Sequence, residues 1–490
     1  MVKKNFFIGR EPELKRLSDL TRKNSASFVV IKGRRRIGKS RLVDEFSKQF
    51  DHYYKFEGIA PEENVTTQNQ LDEFCAQMAR QFRTSKATYS DWSDALWAVG
   101  ERIQSGKILV FFDELSWMAW EDATFLGKIK NFWDMQLSKN NELVFVACSS
   151  ASAWIEENLL SSVGFVGRVS LTLTLKELPL PNCDKFWPKN VSAYEKLKVL
   201  SVTGGIPKYL EEVDTKLSAE ENINKLCFTQ GGFLVDEFPR IFSDLFLRKS
   251  AFYKKIVKVL SSGAKELGAI QEALCKDHND QQYGRISEYL WELEEAGFIR
   301  RDYTWNLRTG DDSRLSQYRL QDNYLRFYLK YIEKNLKKIT RDAFAFKSLT
   351  SLPEWNSIVA YQFENLVLNN RKSIQKILGI KPEDVVCENP FFQRKTNRFL
   401  GCQVDYMIQT KFCSLFVCEI KFSKNPVDLS VVKEMQAKIE AIKAPKGFSY
   451  RPVLIHVNGV SEDLIDSDYF STIIDISELL NPTESSHYPH

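Results

Sequence analysis

The chain has 490 residues, of which 43% are hydrophobic and 27% charged, and a formal net charge of +4. This length predicts about three domains with their own cores, and the composition excludes wholesale disorder. The apolar runs are far below the roughly 18 residues that a membrane-spanning helix needs, and no secretory signal is visible. Nine dispersed cysteines without a C-x-x-C pair are typical of reduced, structural thiols. We therefore expect a cytoplasmic protein that does not bind a membrane.

The first strong strand leads into a glycine-bracketed loop. Residues 27–32 (SFVVIK) predict a buried strand, residues 33–40 (GRRRIGKS) match the pattern G-x-x-x-x-G-K-[ST], and a helical repeat follows. The glycines allow consecutive backbone N–H groups to face a triphosphate, while Lys39 can contact its terminal phosphates and Ser40 can ligate Mg²⁺. The sequence predicts a Mg-ATP site here.

A second apolar strand, residues 108–112, ends in Asp113 and Glu114. At the carboxyl edge of a sheet, Asp113 could hold Mg²⁺ and Glu114 could polarise the attacking water. For this motif alone, two acids that merely cap a strand end are the simpler explanation. A third strand, residues 143–148, brings Ser149 and Ser150 to the same edge, where a hydroxyl could sense the terminal phosphate.

Arg168 follows about one helix later and could neutralise charge that develops on the transferred phosphoryl group. On spacing alone, a plain surface arginine is nearly as good an explanation. We predict Glu114 and Arg168 as catalytic residues, and Ser40 and Asp113 as metal ligands. The predicted nucleotide-binding residues are Gly33, Arg34, Arg35, Arg36, Ile37, Gly38, Lys39, Ser40, Arg41, Asp113 and Ser149.

The middle of the chain is predicted to be mainly helical. Two helices, a third helix that stops at Gly297 and a following strand form a winged-helix pattern. The third helix carries four glutamates against Arg285, which favours a structural or protein-contact role over DNA binding. Basic residues within 326–341, and basic and aromatic residues within 391–398, could follow a phosphate backbone or form solvated faces.

Near the C-terminus, residues 404–408 and 415–421 predict two strands joined by a short turn. If that hairpin is centred on Phe412, Asp405 lies opposite Glu419, and a one-residue slip in register would separate them. Two such carboxylates require a metal or exposure to solvent, and Lys421 on the same face could orient an attacking water. Because half-exposed strands often alternate charges, E-x-K alone is a weak signal.

Several motifs occur in order: FIGREPEL (7–14), GRRRIGKS, FFDE (111–114), the Ser149-Ser150 pair, Gly167-Arg168 and GGIP (204–207). This set resembles the archaeal-type ATPases of the STAND (signal-transduction ATPase) branch of the AAA+ superfamily. The resemblance implies that Arg10 and Glu11 flank the nucleotide base and that residues 205–207 pack against the nucleotide domain.

The segment 318–328 resembles the end of the winged helix in members that carry a C-terminal nuclease-like domain. D-x13-E-x-K is the PD-(D/E)xK nuclease pattern, and Glu364 resembles the helix-borne acid of that superfamily. The resemblance thus implies catalytic Asp405, Glu419 and Lys421, with Glu364, Asp405 and Glu419 as metal ligands.

Together these expectations describe an α/β protein: a P-loop NTPase with a parallel sheet, a helical and winged-helix region, and a restriction-endonuclease-like α/β domain. We expect an ATP-hydrolysing switch that controls a Mg²⁺-dependent nuclease in prokaryotic defence or DNA processing. Its cofactors would be ATP and Mg²⁺, and its partners nucleic acid, a protein trigger and further copies of the chain. The rivals are a signalling ATPase with a degenerate C-terminal binding domain and a nucleotide-switched winged-helix regulator. The predicted regions are 1–176 (ATPase), 177–245 (helical lid), 246–330 (winged helix), 331–355 (basic connector), 356–478 (nuclease-like) and 479–490 (disordered tail).

Overall fold

The computed structural model of the chain describes residues 7–62, 64–246, 250–275, 284–397 and 400–480. The chain divides into two compact units. One holds the chain up to Lys176 together with Arg240–Ser250 and Trp291–Gly297, and the other holds Glu177–Pro239, Ala251–Leu290 and the chain from Phe298 onwards. Across the described ranges, none of the helices has the length and apolar character required to cross a membrane.

The first unit is built on a five-stranded sheet in which every pair of neighbours is parallel. The strands lie in the order β2-β3-β4-β1-β5. The three central strands are continuous apolar runs buried along their whole length, as expected for a parallel sheet that is covered on both faces. The strands are β1 (Ser27–Lys32), β2 (His52–Glu57), β3 (Ile108–Asp113), β4 (Val144–Ser149) and β5 (Val169–Thr174).

Helices connect these strands, and local capping fixes where some of them begin. Thr66 accepts a hydrogen bond from the Asn69 N–H at the start of the longest helix, and the Asp91 side chain caps the next one. The helices of this part of the chain are α1 (Glu11–Leu20), α2 (Lys39–Phe46), α3 (Thr67–Phe82), α4 (Trp92–Gly100), α5 (Leu115–Met118), α6 (Phe125–Met135) and α7 (Ser152–Ile155).

Helices also dominate the middle of the chain. They are α8 (Leu180–Asp184), α9 (Ala193–Thr203), α10 (Pro207–Glu211), α11 (Ala219–Cys227), α12 (Glu237–Phe246), α13 (Ser250–Leu260), α14 (Leu267–Leu274) and α15 (Ile286–Glu295). An antiparallel pair of strands follows, β6 (Ile299–Trp305) and β7 (Asp312–Leu320). Lys265 forms an isolated bridge with Tyr318, so three helices and a bridged hairpin occur in the predicted order. The winged-helix assignment stays a prediction.

The C-terminal part of the chain carries a mixed sheet in the order β12-β11-β10-β9-β8. Strands β8, β9 and β10 form an antiparallel meander, and β11 and β12 run parallel to β10. The strands are β8 (Val385–Gln393), β9 (Cys402–Thr410), β10 (Ser414–Phe422), β11 (Ser449–Val457) and β12 (Thr472–Asp475). The helices are α16 (Asn323–Phe327), α17 (Glu333–Ile339), α18 (Trp355–Asn369), α19 (Arg371–Ile377), α20 (Ser430–Ala441), α21 (Glu462–Asp466) and α22 (Ser477–Leu480).

Two helices of this region matter for the site. Helix α18 precedes the sheet, and Phe363 on it packs against Phe422 at the end of β10, with ring centroids 5.1 Å apart. Helix α20 forms the crossover that two parallel strands require, between β10 and β11. It packs through buried Val431 and Met435.

Three expectations from the sequence need correction. Arg326 cannot belong to a basic stripe in contact with nucleic acid, because it is fully buried and donates to the carbonyl of Leu320. Phe391 and Phe392 are buried, so they offer no stacking surface for bases. Helix α22 includes residues 479–480 of the expected disordered tail, while residues 481–490 lie outside the described residues.

Because β3 is buried on both faces, shortening a side chain in its middle should destabilise the first unit. We expect Val110→Ala, at a fully buried site, to lower the free energy of unfolding by about 1–3 kcal/mol. The matched control, Val163→Ala at a site that is 86% exposed, should change it by less than about 0.5 kcal/mol. Urea denaturation followed by tryptophan fluorescence measures both. Equal effects would contradict the described sheet.

Candidate functional site

Both glycines of the loop between β1 and α2 adopt positive φ angles. Gly33 has a φ of 147°, and a Cβ atom there would lie 2.6 Å from the carbonyl oxygen of Leu175. Gly38, with a φ of 94°, directly precedes α2. Lys39 is 6% exposed rather than projecting from an open loop, and its Nζ donates to the carbonyls of Gly33 (2.9 Å) and Arg34 (3.2 Å). The loop therefore encloses the Lys39 side chain.

The predicted Mg²⁺ ligands Ser40 and Asp113 are in direct contact. Ser40 Oγ donates to Asp113 Oδ2 over 2.7 Å, although these residues are 73 positions apart in the chain. Lys55, at the end of β2, also contacts Asp113 Oδ2 at 3.2 Å, and sequence analysis missed this residue. Burial opposes the charge of Lys55, but the neighbouring carboxylates, Asp113 foremost, outweigh burial and raise the pKa of the ammonium. The contact between Lys55 and Asp113 depends on β2 and β3 being neighbours, with Glu57 opposite Asp113. It therefore could not be predicted before the strand order was known.

Glu114 lies beside the same strand end in a left-handed conformation, with a φ of 53°. Its Oε2 accepts hydrogen bonds from the N–H and the hydroxyl of Ser150, each 2.9 Å long. The predicted sensor Ser149 is instead occupied by the hydroxyl of Ser116, at 2.7 Å, and by the N–H of Ala151. Of the serine pair, Ser150 is thus the residue that orients the acid.

Arg10 also takes part in the architecture of this loop. Its Nη2 donates to the carbonyl of Ile37 at 3.0 Å and to the carbonyl of Lys176 at 2.6 Å. The N-terminal motif is thereby tied to the glycine-rich loop. The other predicted loop residues, Arg35, Arg36 and Arg41, are partly exposed along the same segment.

Arg168 does not join this group. It precedes β5, and that strand runs parallel to β1 toward the loop, where Thr174 lies opposite Lys32. At about 3.3 Å per residue, Arg168 lies roughly 20 Å away, at the amino edge of the sheet. There it binds the Asp134 carboxylate through Nε at 2.7 Å and Nη2 at 2.9 Å. The structure thus does not bring Arg168 together with the loop of its own chain, and its catalytic role stays a prediction.

The predicted C-terminal hairpin has the expected even register. The paired residues run from Leu415 opposite Gln409 to Cys418 opposite Tyr406, so Asp405 and Glu419 follow directly beyond the last pair and lie on one face. The main-chain N–H of Ile420 donates to Asp405 Oδ2 at 3.0 Å, so this carboxylate reaches across to β10. The prediction that both acids share one face is confirmed.

Two lysines neutralise this acidic pair. Lys421 lies on the same face as Glu419, with Nζ 2.9 Å from Glu419 Oε1 and 2.6 Å from Glu434 Oε2. Lys438, on α20, contacts Glu419 Oε2 at 2.5 Å and Asp405 Oδ1 at 3.5 Å. Lys438 lies three residues after the buried Met435 on α20, so both side chains are on the helix face that packs against the sheet. That face is not known from the sequence, and the role of Lys438 was therefore not predicted.

Glu364, on α18, lies in the electrostatic field of this cluster. Burial and the Asp405 carboxylate raise the pKa of Glu364 to about 8, against the opposing charges of Arg326 and Arg319. Burial and the Glu419 carboxylate likewise raise the pKa of Asp405 to about 6. Among the residues that the structure describes, no group of three or more His, Cys, Asp or Glu side chains is arranged to hold a metal ion. Lys438 contacts two of the three predicted ligands, and the assignment of Glu364, Asp405 and Glu419 as metal ligands stays a prediction.

Residues 7–213 match the model of a family described as an ATPase domain predominantly from Archaea. An uncharacterized protein of Methanocaldococcus jannaschii, MJECL04, is 27% identical over 365 residues, which cover 74% of this chain and 76% of that protein.

Solved structures give weaker likenesses. The Walker-type ATPase PABY2304 of Pyrococcus abyssi is 16% identical, with 66% of this chain and 96% of that chain covered and a TM-score of 0.46. The Aeropyrum pernix ORC2 protein is 13% identical, with 69% and 96% covered and a TM-score of 0.44. Likenesses this partial support no conclusion about function. The glycine-rich loop and its two acids lie within residues 7–213, the segment that matches the archaeal ATPase domain model.

Proposed function

We propose that this protein is an ATP-hydrolysing switch whose C-terminal domain is a Mg²⁺-dependent nuclease. The contact between Ser40 and Asp113 supports the ATPase part of this proposal, since a P-loop site holds Mg²⁺ with the serine or threonine of the loop and an aspartate at a strand end. The nuclease part is supported by the even register of the hairpin and by Lys438, which contacts both Asp405 and Glu419.

In the ATPase domain, the backbone of residues 33–38 would surround the phosphates, and Lys39 would leave the loop carbonyls to contact the terminal phosphates. Ser40 and Asp113 would hold Mg²⁺, which neutralises charge on the β- and γ-phosphates. Glu114, oriented by Ser150, would polarise the water that attacks the γ-phosphorus. Lys55 would support the charge and position of Asp113.

Arg168 fits this scheme only in an assembly. It is too far from the loop of its own chain, but as a cation on the surface it could reach the γ-phosphate bound to a second copy. We therefore propose a homo-oligomer in which Arg168 exchanges Asp134 for that phosphate.

In the C-terminal domain, Asp405 and Glu419 would hold Mg²⁺, with Glu364 completing the site from α18. The ion would polarise a phosphodiester and lower the pKa of a bound water. Lys421 would orient that water for attack on phosphorus, which releases one of the bridging oxygens. The substrate would be nucleic acid, with DNA as the first choice, and a protein trigger could set the ATP state.

One rival has a specific observation in its favour. The contact of Lys438 with both acids could mean that the domain binds nucleic acid or protein without cutting it. A nucleotide-switched regulator that reads DNA through α15 is less well supported, because Glu288 pairs with Arg285, the one basic residue beside that helix's four glutamates.

For the ATPase, we expect Lys39→Met to weaken ATP binding by roughly tenfold to a hundredfold, since it deletes a charge-assisted contact. Glu114→Gln should keep the affinity and lose turnover by about a hundredfold or more. Titration with a fluorescent ATP analogue and phosphate release measure the two effects. Lys48→Met, at an exposed lysine beyond the same helix, is the control. A folded Lys39→Met protein with unchanged affinity would remove the ATP site from these residues.

For the nuclease, purified protein should cleave at least one of single- or double-stranded DNA or RNA with Mg²⁺ or Mn²⁺, in the presence or absence of ATP. Lys421→Ala should reduce cleavage by about a hundredfold or more, because the water loses the group that orients it. The control, Lys411→Ala at the half-exposed hairpin turn, should cleave normally. No metal-dependent cleavage of any of these substrates would favour the binding-domain rival.

A further inference from the structure

The two acids of the C-terminal hairpin share one cation, because Asp405 and Glu419 both contact the ammonium of Lys438. The side chain of Glu419 is only 4% exposed and that of Asp405 15%, so water screens their repulsion poorly.

The partners of the four carboxylate oxygens show where a cation would be held. Asp405 Oδ2 accepts from the N–H of Ile420, and Glu419 Oε1 faces Lys421. The remaining oxygens, Asp405 Oδ1 and Glu419 Oε2, both contact the Nζ of Lys438. A divalent cation shared by the two carboxylates would use these same two oxygens.

The ammonium of Lys438 and a shared divalent cation cannot occupy that position together. Mg²⁺ requires oxygen ligands at 2.0–2.1 Å in nearly octahedral geometry, and a second positive charge at Lys438 Nζ would repel it. Helix α20 is anchored by Val431 and Met435, but the Lys438 side chain keeps 24% of its surface exposed. Its flexible stem can thus release the ammonium without moving the helix.

We propose that Lys438 is a built-in counter-cation that occupies the metal position of the hairpin site and must leave before a divalent ion binds. This inference rests on the proposed nuclease site and adds how that site is controlled: metal affinity is set by competition with a side chain of the protein. Whatever moves Lys438, such as a bound phosphate group, would favour metal loading.

The test is Mn²⁺ binding to the full chain without nucleotide, measured by electron paramagnetic resonance. Lys438→Met should bind Mn²⁺ at this site about tenfold tighter or more than wild type, because the competing charge is gone. The double variant Asp405→Asn with Lys438→Met should lose this increase in Mn²⁺ affinity, which would show that the extra Mn²⁺ binding occurs at the hairpin. Lys433→Met, at an exposed lysine of the same helix, should behave as wild type.

Folding stability gives an independent readout. In EDTA, Lys438→Met should melt below wild type because two buried acids have lost their counter-ion, and Mn²⁺ should raise its melting temperature more than that of wild type. If that variant does not fold, Lys438→Gln serves the same purpose with a neutral polar side chain. Equal or weaker Mn²⁺ binding in a folded neutral variant would overturn the proposal. Cleavage is not read in either assay, so an inactive nuclease domain and a wrong role for Lys438 give different results.

Discussion

The alignment of strand ends in the parallel sheet is the constraint on which the proposed ATP site depends. Parallel register brings Lys32 opposite Ser149 and Glu57 opposite Asp113, so the loop, both acids and the serine pair meet at one carboxyl edge. The same alignment explains two departures from expectation. Lys55 reaches Asp113 because β2 neighbours β3, and Arg168 is remote because it lies at the start rather than the end of β5.

In the C-terminal hairpin, antiparallel register instead of parallel strand alignment brings the acidic side chains together. Its even register forces Asp405 and Glu419 together, and the fold compensates with Lys421 and Lys438. Both sites therefore consist of carboxylates at strand ends or on a strand face with a lysine against them. In each, a bound metal and phosphate would replace contacts that the protein now makes with itself. Such replacement is a physical basis for switching, since ligand binding then alters packing as well as charge.

Features that depend on short-range sequence patterns could be predicted. The glycine-bracketed loop, the acids after β3 and the hairpin register all follow from spacing and strand periodicity. Lys55 and Lys438 could not be found this way, and neither could the bond from Ser150 to Glu114, since each of these contacts joins residues 19 or more positions apart through strand order or helix packing. The burial of Arg326, Phe391 and Phe392 was equally hidden, because basic and aromatic residues look alike in a sequence whether they face solvent or a core.

The most direct test of the ATP site is a crystal structure of the protein with a non-hydrolysable ATP analogue and Mn²⁺, with the metal located by its anomalous scattering. We expect a peak within coordination distance of Ser40 Oγ, linked to Asp113 directly or through water, with the phosphates enclosed by residues 33–39. Nucleotide bound elsewhere, or a Mn²⁺ ion remote from both Ser40 and Asp113, would contradict it.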